Sequence, residues 1–154
     1  TFRFARLDRE RFSGIRTAGH EGDTPYYTNS TKLPADYDGT LQGALINQDS
    51  LQPLYTTGTV FHVYMERELE DWKKARDLLS SMITEHHIPC FTLSPVYTIC
   101  QTCGYLPGRQ ERCPKCNGAA DVYSRIAGYY RPVHDWNDGK AQEFRNRIMF
   151  RIGE

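Results

Sequence analysis

The sequence predicts an α/β chain: a strand–helix–strand unit, then a four-cysteine ribbon, then a loop carrying a glycine. Three observations support this. "TVFHVYM" (Thr59–Met65) is β-branched and aromatic, and an apolar stripe and a second extended run, Cys90–Ile99, follow it. Two CxxC knuckles, Cys100 with Cys103 and Cys113 with Cys116, stand nine residues apart. A plain turn, Arg125-Ile126-Ala127-Gly128-Tyr129, comes directly after them.

Taken in order, residues 1–58 are weakly periodic and rich in turn formers. "HEGDTPYYTNSTKLPADYDG" is dense in Gly, Asp, Pro, Asn, Ser and Thr, which predicts a long irregular loop of the kind that carries function. A short helix is expected over about Thr40–Leu51, and the strand Thr59–Met65 comes next. Leu69, Trp72, Ala75, Leu78, Leu79, Met82 and Ile83 recur at three- to four-residue spacing among charged residues, an amphipathic helix. His86-His87-Ile88-Pro89 ends it, the two histidines placed where an imidazolium suits the helix dipole. Strand, crossover helix and strand make a βαβ unit with parallel strands and both faces covered. One such unit cannot complete a sheet or barrel, so the remaining strands are expected elsewhere. The organisation reads as residues 1–98, then a ribbon over 99–120, then a loop and C-terminal helix over 121–154.

Composition excludes more than it identifies. Lys plus Arg equals Asp plus Glu at 19 each, so no net field draws the chain to nucleic acid or anionic lipid. No apolar run approaches the ~18–20 residues of a membrane span, and no signal-peptide core is present. Five cysteines, four of them clustered, suit a reducing cytoplasm better than a disulfide scaffold. The chain starts at Thr1 rather than Met, as expected of a processed product or a piece of something larger.

Each knuckle brings two thiolates onto one turn, and two knuckles supply the tetrahedral soft-ligand set of structural zinc. Gly104, Gly108, Pro114 and Gly118 suit the tight turns around an ion. A disulfide pair fits cytoplasmic chemistry poorly. An iron–sulfur cluster is the rival reading, although paired short knuckles favour zinc. Four protein ligands leave no position open to water, so the metal is structural. "GYLPGRQER" between the knuckles holds two arginines, too thin a basic face for phosphate contacts.

Gly128 has a plain reading as a left-handed turn position. Its sharper reading rests on radical chemistry. An α-carbon radical between an amide nitrogen and a carbonyl is stabilised by both neighbours when the centre is planar, and a β-carbon would crowd that state. A lone RxxGY is a weak signal, and its context strengthens it. "RIAGY" matches the Arg-Val/Ile-x-Gly-Tyr signature of glycyl radical enzymes. "YYTNST.LP", "LQPLYTTGTVFH", "SPVYTICQTCGYL…RCPKC" and "GYY…W..GK..EF..R" together resemble the C-terminal part of anaerobic, class III ribonucleotide reductase. The resemblance covers nearly the whole chain and is weakest over the first twenty residues.

The resemblance implies that the βαβ unit is a segment of a ten-stranded glycyl radical enzyme barrel, that Cys100, Cys103, Cys113 and Cys116 bind zinc, and that Gly128 stores the radical. A radical S-adenosylmethionine activase would remove its hydrogen. Reduction of ribonucleoside triphosphates would then run through a thiyl cysteine, with formate or a thioredoxin-type dithiol as reductant. Cys90 lies in an expected strand and is read as buried and inert, so the thiyl residue belongs to a larger N-terminal chain or region. Ala127 replaces the Cys or Thr often found before the glycine. Arg125 and Tyr129 are read as fixing the loop, with His134 and Trp136 flanking it.

Asn29, Ser30, Thr31 and Gly58 are candidates for the substrate pocket, against a plain Asx or ST turn for the first three. His62 is read as a satisfied core histidine. A split-gene subunit, an intein-separated half or an excised fragment would each give such a chain. A standalone replacement part for an oxygen-cut reductase and a zinc-ribbon binding module are the alternative functions.

Overall fold

The computed structural model describes residues 2–29 and 32–152. It is a mixed α/β chain with two sheets. α1 (Phe2–Arg11) and α2 (Leu41–Asp49) precede β1 (Phe61–Met65), α3 (Trp72–Glu85) and β2 (Phe91–Pro95). β3 (Tyr97–Cys100), β4 (Gly104–Pro107), β5 (Ala120–Arg125) and β6 (Tyr130–Pro132) follow, and α4 (Asp138–Asn146) comes last.

The βαβ unit forms as expected. β1 and β2 pair in parallel, with Phe61 opposite Phe91 and His62 opposite Thr92. α3 starts where Asp71 accepts a hydrogen bond from Lys73 N–H and stops at His86, whose backbone is extended ahead of Pro89. The alternation of β1 decides what each face does. Phe61, Val63 and Met65 enter a core with Ala44, Leu45, Met82 and Ile88. His62 and Tyr64 point the other way, into a cavity. One face of the unit is therefore core and the other is site.

Four expectations need correction. α1 was hidden inside a region read as irregular: "FRFARLDRER" has no readable apolar stripe, and Ala5 is its one buried residue. The helix packs on α4, where Phe2 lies against Gly139. Trp72 and Ile83, counted in the core stripe of α3, are 67% and 66% exposed. Cys90 is exposed, not buried. Cys90–Ile99 is not one extended run, because Val96 turns the chain from one sheet into the other and bonds back to Met65 O at 3.0 Å. The described residues between 20 and 39 are irregular as expected, tied by an antiparallel bridge between Ala18 and Tyr26.

The second sheet runs in the order β4-β3-β5-β6, all antiparallel. Its inner side meets α4 through Val96, Trp136 and Phe144. Asn137 caps α4 by accepting from Lys140 N–H at 3.1 Å. No helix among the described residues is long and apolar enough to cross a membrane.

Candidate functional site

The four knuckle cysteines converge. Their Sγ atoms all lie within 4.8 Å of one another. Cys100 ends β3 and Cys103 sits in the turn to β4. Gly104 holds φ +78° there, a conformation that a side chain would strain. Cys113 and Cys116 form a second tight turn, closed by Asn117 N–H on Cys113 O at 2.8 Å and by Cys113 N–H on Gly118 O at 2.9 Å. All five cysteines are free thiols.

A tetrahedral zinc with bonds near 2.3 Å needs sulfurs roughly 3.8 Å apart. Cys100 Sγ and Cys116 Sγ are 3.6 Å apart, so the set fits a single ion such as zinc. A cluster of several irons would hold its thiolates further apart. Burial pushes the Cys113 thiol up, but backbone N–H groups of Cys116 and Lys115 outweigh it and bring it down to about 6. Cys103, hydrogen-bonded to Cys116, is instead pushed up to about 12, and Cys116 is also raised. Of these three thiols Cys113 is the first to lose its proton.

β5 joins this knuckle to the Gly128 loop. Ala120, its first residue, pairs with Cys100, and Arg125, its last, leads into the bend. At about 3.4 Å per residue its five steps separate the two by roughly 17 Å. The loop Ile126–Tyr129 is a hairpin tip closed by Ile126 N–H on Tyr129 O at 3.1 Å. Gly128 lies outside the left-handed region, which corrects its reading as a left-handed turn position. An added Cβ would meet no atom of the described residues within 4 Å. Neither a left-handed φ nor packing within these residues calls for glycine there.

The hairpin tip opens on a cavity of about 470 Å³. Of the residues singled out from sequence, Asn29, Gly58 and Gly128 line it together. Ser30 and Thr31 lie outside the described residues. Tyr129 is exposed and turned away from the cavity lining, as is His134, which lies between Asp121 and Asp135. Trp136 is buried on Phe144 and donates to Arg131 O.

Arg125 reaches from the end of β5 to the loop. Its Nη1 donates to Gly128 O at 3.0 Å and its Nε to the buried Ser94 Oγ at 2.9 Å. The guanidinium also lies 4.9 Å from the Tyr130 ring centre.

The charged wall of the cavity was not singled out from sequence. Lys140, Glu143 and Arg147 fall at i, i+3 and i+7, one helical face, and that spacing was the available signal. Glu143 pairs with both Lys140 and Arg147. Arg147 is 8% exposed, stacks 3.7 Å above the Tyr64 ring and donates to Ser124 Oγ and Arg125 O. Lys32, also on the wall, has its pKa lowered by burial and then by Lys140. Three cations against one carboxylate suit an anionic ligand.

Comparison with known proteins completes the description. A family model for anaerobic ribonucleoside-triphosphate reductase matches residues 1–150. A solved structure described as an anaerobic ribonucleotide reductase aligns with a TM-score of 0.67 at 19% identity. The alignment covers 95% of this chain and 22% of that one. No curated protein matches the chain.

Proposed function

The chain belongs to the anaerobic ribonucleoside-triphosphate reductase family, and we propose that it is the part bearing the glycyl radical, with Gly128 as the residue that stores it. The observation that carries this reading is the state of Gly128: a glycine at a hairpin tip on a cavity, with no conformational or steric reason to be glycine. Radical storage supplies the missing reason.

In this reading residues 1–98 are a segment of the barrel, 99–120 a zinc ribbon and 121–154 the radical loop with its helix. Cys100, Cys103, Cys113 and Cys116 hold the zinc, which braces one end of β5 while the other end presents Gly128. An activase of the radical S-adenosylmethionine type takes the Gly128 α-hydrogen. A larger chain or region brings the thiyl cysteine, and formate or a dithiol provides the electrons. Arg125 holds the Gly128 carbonyl, Asn29 and Gly58 border the ribonucleoside triphosphate, and Lys32, Lys140 and Arg147 offset its charge. Alone the chain does not turn over nucleotides.

The test is electron paramagnetic resonance under strict anaerobiosis, on the chain with its larger partner, an activase and S-adenosylmethionine. A glycine-type doublet lost in Gly128→Ala, with deoxynucleotide formed in the same tube, is the expected result. No doublet from a folded, zinc-loaded complex, with an activase proven on another substrate, would sink the reading. A partner encoded without this region marks a split subunit. Restoration of a reductase cut at its own glycine marks a replacement part.

A further inference from the structure

A row of polar side chains connects the wall of the cavity to the Gly128 backbone. His62 and Thr92 oppose each other in the parallel pairing, and His62 Nδ1 lies 2.7 Å from Thr92 Oγ1. Thr92 and Ser94 share a face of β2, with their hydroxyls 3.1 Å apart. Ser94 Oγ accepts from Arg125 Nε at 2.9 Å, and Arg125 Nη1 donates to Gly128 O at 3.0 Å.

Donor counting fixes one end of this row. A guanidinium only donates, so Ser94 Oγ accepts there, while each hydroxyl keeps one hydrogen and a second lone pair for its other neighbours. A row that runs toward His62 sends the Ser94 hydrogen to Thr92 and the Thr92 hydrogen to a bare Nδ1. The imidazole is held neutral for this: burial first, then the positive charges of Lys32, Arg125 and Arg147, lower its pKa to about 4. Tyr130 lies at the same junction: burial raises its pKa, and Arg125 and Ser94 work the other way. In a row aligned toward His62 each bond polarises the next.

We propose that His62 is a positioning residue for Gly128: as terminal acceptor of the Thr92–Ser94–Arg125 row, it keeps the guanidinium seated on the Gly128 carbonyl. The inference rests on the radical reading of Gly128. A radical at that α-carbon delocalises into the adjacent carbonyl, so a charged donor fixed on the oxygen governs planarity and spin distribution at the carbon.

The test has two stages. The first is nuclear magnetic resonance of the zinc-loaded chain with ¹⁵N-labelled arginine. His62→Asn keeps an acceptor near the place of Nδ1, His62→Leu fills the space without one, and Thr92→Val cuts the row one link further on. The expected result is that the Arg125 Nε–H signal shifts and loses its slow exchange equally in His62→Leu and Thr92→Val. The double variant shows no further change, and His62→Asn restores the signal. The second stage is the activated complex, where the α-hydrogen splitting of the doublet changes in the same two variants and returns with His62→Asn.

An Arg125 signal indifferent to His62→Leu, or moved as far by His62→Asn as by His62→Leu, overturns the inference. If His62→Leu does not fold, Thr92→Val and His62→Asn decide the same question. A wild-type doublet with an indifferent Arg125 removes the role of His62 alone. A responsive Arg125 with no doublet in the wild type removes the radical reading and leaves His62 as the anchor of the loop.

Discussion

A methyl group added at Gly128 meets nothing within 4 Å, whereas one added at Gly139 strikes the Phe2 side chain. The two glycines therefore fail in opposite ways. Gly128→Ala is expected to keep wild-type stability within about 0.5 kcal/mol while giving no radical doublet. Gly139→Ala is expected to lose roughly 1–3 kcal/mol by overpacking, read from the urea midpoint. His62 adds a pH dependence whose sign follows from its lowered pKa of about 4. Between there and the ordinary value near 6.5 the unfolded chain binds the extra proton, so stability rises with pH across that window. Urea unfolding at pH 5 and pH 7 should show a steeper loss at the lower pH for the wild type than for His62→Asn. The four clustered thiols were legible in sequence because a soft-metal site needs that residue type at that spacing. Lys32 and Arg147 were not, because a cation declares its cavity only after the chain has folded around it.

The elements were legible where period and punctuation agreed. β1 carries a β-branched and aromatic run, α3 an apolar stripe ended before Pro89, and both form. α1 was missed because its ten residues bury a single alanine, and its other apolar side chains are largely on the surface. Trp72 and Ile83 kept helical spacing yet face outward, since spacing alone does not say which side of a broad stripe meets the core. The chain just past α4 ties the two sheets together. Arg147, just past its end, grips Glu143, Ser124 and the Tyr64 ring at once. Arg147→Ala should cost roughly 3 kcal/mol because it breaks a buried ion pair. Arg147→Lys should not restore it, lacking the planar fork. Asn137→Ala removes only a cap and should cost about 1 kcal/mol.

For the molecule as a whole, the metal site and the βαβ core are separate sources of order. Tyr97 stacks on Tyr123 at 5.3 Å and contacts Tyr105 and Tyr130, one tyrosine from each strand of the second sheet. Chelation should therefore abolish the near-ultraviolet tyrosine dichroism of that sheet before the α3 helix signal falls, with metal analysis giving about one zinc per folded chain. A two-stranded parallel sheet is an unusual end state, because such sheets are normally covered and extended on both sides. The chain spans 22% of the solved reductase it resembles. The vacant space around Gly128 also has a consequence over evolutionary time. Among the described residues nothing steric opposes replacement of that glycine, so on the radical reading a lineage that ceased to need its chemistry would lose it by drift, while Gly104 and Gly139 persisted under the demands of folding. Among descendants of such a chain, the identity of that one residue would date the loss of the activity.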